Sequence, residues 1–308
     1  MRAFISEIAV SSGSNTVCNR TQGKGFGVED EFLDEKIGVL EMPELAETET
    51  SLDIAFSAAN KLSKAVGNVE ILIYVTQNPE YGGLPHNSAV LANYLGLSND
   101  VGCFDVGLGC SGYVYALSIA SAMIECGRYK SILVVTCDTY RKNLNQLDKN
   151  TSLLFGDWAS ATLVNTSGKW LIGASKLKTF GDGFENLIRR HDGIYMNGRG
   201  IFNFARNEVP KSIDELLDAE HIDINQIDLF LVHQGSKAIV EQLRRRLGVE
   251  PDKMPIAIRY TGNAVSSSIP LLLQDRFSSN ASTALLSGFG VGLSIGNMLI
   301  HKEKINAY

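Results

Sequence analysis

The stretch DVGLGCSGYVY, residues 105–115, places Cys110 between glycines at the point where an apolar run gives way to a helical pattern. A helix N-terminus offers unpaired backbone N–H groups and a partial positive charge, which together favour a thiolate. Flanking Gly109 and Gly112 leave room for a sharp turn and for a ligand to approach the sulfur. Activation plus access is what a nucleophile requires. A buried structural thiol is the alternative, and it suits Cys103, Cys126 and Cys137.

A nucleophilic cysteine needs partners that handle protons and developing charge. His191 and His221 lie in polar stretches, His301 is near the C-terminus, and His86 follows GGLP in a loop. His233 differs, because it closes the apolar run IDLFLV and precedes Gln-Gly. The ends of buried strands are where α/β sheets collect ligands. The alternative is a hydrogen-bonded histidine that merely closes a strand. Asn263 follows Gly262 in RYTGNAVSSSIP, where ordinary turn chemistry is also a sufficient reason for an asparagine.

These residues must be positioned by a frame, and the frame reads as α/β. Continuous apolar runs at 69–77, 131–137, 160–165, 227–234 and 282–290 predict strands buried on both faces. A further strand is expected in MRAFISEIAVSSG. Helical patterns between them start at a Thr50 or Ser51 cap and stop at Gly67, start near Gly112 and stop at Gly127, and run from Lys237 to Gly248. Strand alternating with helix implies layers with helices covering the sheets. The order of elements repeats: a helix and a strand ending in Thr76-Gln77 are echoed by VPKSIDELLDAE and a strand ending in His233-Gln234. We place a boundary near Gly168, giving halves of 1–167 and 168–308 in close contact.

At 308 residues the chain can bury a large core, and its 44% hydrophobic and 20% charged residues are those of a globular protein. No uncharged apolar run is long enough for a membrane span, and Glu7 interrupts what a signal peptide would keep apolar, so a cytoplasmic protein without membrane contact is expected. The cysteines are too scattered for a disulfide scaffold and include no C-x-x-C pair, which argues against structural zinc and leaves no metal site. A net charge of −6 argues against nucleic acid as the main partner.

Taken together, DVGLGCSGYVYALSIA, LLFGDWASATLV, MNGRGIFNFA, FLVHQGSK, YTGNAVSSSIP and LLSGFGVGLSIG, in this order, resemble the thiolase-fold condensing enzymes, nearest to the β-ketoacyl-acyl carrier protein synthase III family. The resemblance spans nearly the whole chain. It implies a five-layered α-β-α-β-α sandwich of two duplicated halves, usually homodimeric. It implies that Cys110 is acylated by a thioester and that His233 and Asn263 complete a Cys-His-Asn triad. On that pattern the two side chains stabilise the enolate left when a malonyl thioester loses carbon dioxide, and the carbanion attacks the acyl-cysteine. The backbone N–H groups of Cys110 and Val291 form a second oxyanion hole. Leu84, Phe155 and Phe204 are the expected acyl-pocket residues, Leu84 reaching across the dimer. The substrates would be acyl and malonyl thioesters of acyl carrier protein or coenzyme A, with no cofactor.

The chain departs from the family in an N-terminal region through Glu49 that is shorter and poorly matched, and at three motifs. Gly290-Val291-Gly292 stands where three glycines are usual, Val39-Leu40 where an arginine stacks on the coenzyme A adenine, and Gly235-Ser236 where an asparagine follows the His-Gln pair. These changes suggest a specialised paralogue and favour a carrier-protein donor. Lys237, Arg244, Arg245 and Arg246 lie on one helix just after His233, where a cationic patch would attract an acidic carrier protein; a solvated helix face is the alternative. Competing readings keep the nucleophile but pass the acyl group to an amine or hydroxyl, or make the chain a half-active subunit of a heterodimer. A papain-like protease would use Cys, His and Asn in the same order, but its C-G-[SA]-C-[WY] signature is absent.

Overall fold

A computed structural model describes residues 1–145, 147–191 and 193–302; residues 303–308 of the expected second half lie outside this range. Nine strands form the main sheet: β1 (Phe4–Ser12), β2 (Ile71–Val75), β3 (Gly102–Val106), β4 (Ser131–Asp138), β5 (Trp158–Asn165), β6 (Trp170–Thr179), β7 (Leu229–Val232), β8 (Thr283–Gly290) and β9 (Ser294–His301). Their order is β7-β8-β9-β6-β1-β5-β4-β2-β3. The two halves of this sheet repeat one another. From the middle outward, β1-β5-β4-β2 pair antiparallel, antiparallel, parallel, and β6-β9-β8-β7 do the same. In the sheet β1 and β6 pair at Phe4–Leu171 and Ile5–Trp170. The echo between the strands ending at Gln77 and Gln234 is therefore topological, since β2 and β7 occupy equivalent places.

Side-chain alternation along the strands builds the layers. Leu72, Tyr74, Leu133 and Val135 face helices α1 (Ser51–Asn60) and α2 (Asn87–Tyr94), while Ile71, Ile73, Ile132 and Val134 face inward. The inward set meets Leu229, Leu231, Ala284 and Leu286 of the second half across α3 (Gly112–Glu125). Strands buried on both faces are why these runs show no polar alternation. On the far side, α4 (Gly198–Ala219) and α5 (Lys237–Leu247) cover Phe230, Val232, Leu285 and Leu299. A further helix, α6 (Ser268–Arg276), shares the central layer with α3. The result is the α-β-α-β-α sandwich that the resemblance implies.

Local signals hold where they are strongest. Thr50 caps α1 in a reciprocal box with Asp53, and Gly127 and Gly248 follow α3 and α5 in left-handed conformations. Two expectations need correction. The first helix ends at Asn60, and a separate 3-10 turn covers 64–68 before Val69. The helix read from VPKSIDELLDAE begins eleven residues earlier, at Gly198, and runs through Pro210, whose ring is buried.

Candidate active site

Cys110 precedes α3, and its carbonyl and Ser111 pack against the end of β8: a Cβ on Gly288 would lie 2.7 Å from the Cys110 carbonyl oxygen. Gly290 runs closest to the sulfur. A Cβ there would sit 2.7 Å from Sγ, and the backbone is in a conformation (φ +155°) that favours glycine. The next peptide delivers the Val291 N–H to the sulfur. The following peptide, between Val291 and Gly292, is held by a short relay in which the Ser111 and Ser294 hydroxyls share a 2.8 Å hydrogen bond and Ser294 Oγ donates to the Val291 carbonyl at 2.8 Å. Neither serine carries a sequence signal beyond a position beside the nucleophile or the glycine turn.

The flanking glycines serve a different purpose from the one expected. A Cβ on Gly109 would lie 2.6 Å from Gln77 Oε1, and one on Gly112 would lie 2.5 Å from Val75 Cγ1. They allow α3 to press onto the end of β2; ligand access is not their role. The helix terminus also fails to dominate the thiol. Burial pushes Cys110 up to about 12, the N–H groups of Val291 and Cys110 itself only partly opposing. A rise from 9.0 corresponds to about 4 kcal/mol, whereas a helix terminus supplies up to about 2 kcal/mol. The resting group is a thiol, and its proton must leave as the thioester arrives.

His233 stands just beyond β7. Its N–H donates to the Ser287 carbonyl at 2.8 Å, and its ring meets Phe289 edge-on with centroids 5.4 Å apart. Burial pushes it down to about 3, the Val265 backbone opposing, so the imidazole is neutral at physiological pH. Asn263 is pinned by the LLFGDW segment: its N–H donates to the Leu154 carbonyl at 2.8 Å, and its carbonyl accepts from Gly156 N–H at 3.1 Å. Its Oδ1 accepts from Val265 N–H at 2.9 Å, which leaves the Nδ2 hydrogens to point elsewhere. The residue does make the local turn that its neighbours suggested, and that turn is what orients the amide donor.

Cys110, His233 and Asn263 line one cavity of about 250 Å³, together with Phe155, Ile201 and Ile239. The other expected residues divide. Phe155 is in place. Phe204 is not, because it faces the core and packs edge-on against Phe180 at 5.3 Å, while Ile201 and Phe202 of α4 line the cavity instead. Leu84 is 86% exposed and does not reach the cavity of its own chain.

Of the basic residues, Lys237 pairs with Glu35 at 3.1 Å and donates to the Asp34 carbonyl at 3.0 Å. Arg244 donates to the Met254 and Pro251 carbonyls. Both are tied into the fold, which removes them from the expected docking face; Arg245 and Arg246 remain exposed. Val39 is fully buried, so the comparison made there with an adenine-stacking arginine concerns a core position. The mouth instead carries Phe32, Lys36 and Lys149. These were missed because no periodicity marks the edge of a cavity.

The neutral imidazole has a measurable consequence. Its folded pKa lies below the unfolded value, so its contribution to stability is present above pH 6.5 and is lost as the pH falls toward 3. Buried Asp138 and Asp157 are pushed up to about 6 and act in the opposite sense: their contribution is present below the unfolded value of 3.8 and is lost as the pH rises through 6. Replacing His233→Gln removes only the first effect. The variant should gain on the wild type by up to about 1.4 kcal/mol per pH unit between pH 6 and 4. Urea midpoints at pH 7.5, 6 and 5 measure this, and a pH-independent difference would rule out a histidine buried in its neutral form.

Comparison with known proteins gives the family. The family model described as 3-oxoacyl-[acyl-carrier-protein (ACP)] synthase III matches residues 104–181, and the model of its C-terminal part matches 217–302. The chain is similar to the β-ketoacyl-[acyl-carrier-protein] synthase III of Streptococcus pneumoniae strain Hungary19A-6, at 30% identity over 97% of this chain and 98% of that protein. A crystal structure of a 3-oxoacyl-(acyl-carrier-protein) synthase III superposes with TM-score 0.91 at 33% identity, covering 98% of this chain and 100% of the other. A 3-oxoacyl-(acyl-carrier protein) synthase of Burkholderia xenovorans LB400 gives 0.88 at 29%, covering 99% and 95%. With its cysteine, histidine and asparagine around one buried cavity, this chain belongs to the 3-oxoacyl-[acyl-carrier-protein] synthase III family of condensing enzymes.

Proposed function

We propose that Cys110 accepts an acyl group from a thioester and that His233 and Asn263 then drive decarboxylative condensation with a malonyl thioester. The observation that carries this reading is the enclosure of all three side chains in one cavity. The donor's thioester carbon bonds to Cys110 Sγ, and the donor thiol leaves with the proton that the sulfur gives up. During this transfer the acyl oxygen takes the N–H groups of Cys110 and Val291 that the resting sulfur now engages. In the second step carbon dioxide leaves, and Asn263 Nδ2 and a neutral His233 N–H hold the enolate oxygen. A neutral imidazole donates a hydrogen bond without giving up its proton, so the carbanion survives to attack the acyl carbonyl and expel Cys110 as a thiolate, which takes one proton from solvent to restore the thiol.

In the same reading the donor and extender are carried by acyl carrier protein, no cofactor takes part, and the enzyme works as a homodimer in the cytoplasm. The exposed Leu84 loop is the dimer contact, and Arg245 and Arg246, with Lys36 and Lys149 at the mouth, are the cationic groups left to meet an acidic carrier. No helix among the described residues is long and apolar enough to cross a membrane. Purified protein incubated with acyl and malonyl thioesters should release carbon dioxide and yield a 3-oxoacyl thioester. An acyl-Cys110 adduct that forms without carbon dioxide release and passes to an amine or hydroxyl would instead establish plain acyl transfer.

A further inference from the structure

In a two-step transfer the acyl group must stay on Cys110 while the second thioester enters by the route the first has left. The acyl group therefore needs space apart from the entry path. A second cavity, of about 150 Å³, lies beside the nucleophile. Leu187 lines both cavities, and Val291, whose N–H meets the sulfur, lines the second. Tyr140 also lines it and packs against Phe155 of the first, with ring centroids 5.0 Å apart. Gln77 borders it where it abuts Gly109, the residue before the nucleophile.

The chemistry of this chamber is unusual for the holder of a hydrocarbon chain. The Tyr140 hydroxyl donates to Gln77 Oε1 at 2.7 Å, and the Gln77 backbone N–H donates to buried Asp138 at 2.9 Å. Asp138 also accepts from Ser266 Oγ at 2.6 Å, so the pair is anchored to the loop that carries Asn263. With its oxygen engaged, the Gln77 amide has two N–H donors that make no hydrogen bond among the described residues. Leu187, Ile194 and Val291 supply apolar walls, and Asn78, whose buried Nδ2 makes no hydrogen bond among the described residues, and Arg189 are further polar lining. At about 30 Å³ per water-sized group, the space takes on the order of five heavy atoms. An apolar chain lying against Gln77 would leave those donors dry, which sites built to hydrogen-bond penalise strongly.

We propose that the Tyr140–Gln77 pair makes this chamber selective for short acyl groups bearing an oxygen acceptor, such as hydroxyacyl or oxoacyl thioesters, over straight saturated chains. The inference rests on acylation of Cys110, and the test separates the two. Wild-type protein is mixed with butyryl, 3-hydroxybutyryl, 4-hydroxybutyryl and octanoyl thioesters of one carrier, and adduct formation on Cys110 is followed by intact mass. One hydroxybutyryl donor should react at least about tenfold faster than butyryl, and octanoyl slower than both. Gln77→Leu should lower the hydroxybutyryl-to-butyryl ratio at least about threefold, and Tyr140→Phe should lower it less; an unchanged ratio in Gln77→Leu would overturn the assignment to Gln77. Should Gln77→Leu fail to fold, the wild-type ratios decide alone. Butyryl or octanoyl reacting as fast as the hydroxylated donors would overturn the selectivity and leave the condensing reaction standing. Absence of any adduct from all four donors would overturn both.

Discussion

Cys110→Ala should form no acyl adduct and should lose condensation by about 10⁴-fold or more. Removing a covalent nucleophile deletes a reaction route outright, and the groups around it then have little to act on. The substitution removes one small, buried sulfur from the wall of an existing cavity, so the fold should survive. Intact mass after incubation with an acyl thioester reports the first loss, and product formation with a malonyl thioester reports the second. Wild-type turnover by the alanine variant would place the chemistry elsewhere. Cys110→Ser is the sharper control. The hydroxyl keeps the position and the N–H of Val291, but an alcohol is a poorer nucleophile than a thiol, so residual acylation should be slow and present.

Asn263→Ala should divide the two half-reactions. Acylation of Cys110 should change by less than about tenfold, because the N–H groups of Cys110 and Val291 are untouched. Decarboxylation of the malonyl thioester should fall by about 10²–10³, the usual cost of one oxyanion donor. His233→Ala should show the same fall in carbon dioxide release. The double variant should cost less than the product of the singles, since both donors serve one oxygen. Equal losses in acylation and decarboxylation for Asn263→Ala would mean that the amide organises the site as a whole. Its backbone, bracketed by the Leu154 carbonyl and the Gly156 N–H, argues that the side chain can be truncated without moving Cys110.

The contrast between His233 and Lys237 shows what could be read in advance. Both lie in one stretch of five residues. His233 closes a strand whose burial is written in its apolar run, so its enclosure followed. Lys237 was assigned to the surface by charge, yet its ammonium group is held by Glu35 and the Asp34 carbonyl, two hundred residues away in sequence. Phe204 and Ile201 differ in the same way: each is apolar and on one helix, and which of them meets the cavity depends on how α4 is rotated against Phe180.

By itself the sequence determined the alternation of strands and helices and the layering, because burial on both faces, caps and glycine stops are local in origin, and its resemblance to a known family singled out Cys110, His233 and Asn263, which the fold brings to one cavity. It also carried the duplicated order of elements, which a repeated strand pairing then displays. Only the tertiary structure decided that Gly109 and Gly112 serve packing, that Gly290 is the residue that must lack a side chain beside the sulfur, and that Ser111 and Ser294 hold the Val291 carbonyl. The same holds for the thiol pushed up to about 12 and the histidine pushed down to about 3. Solvent exclusion at the site is produced by segments that meet only in the folded chain, and desolvation has no counterpart in linear order.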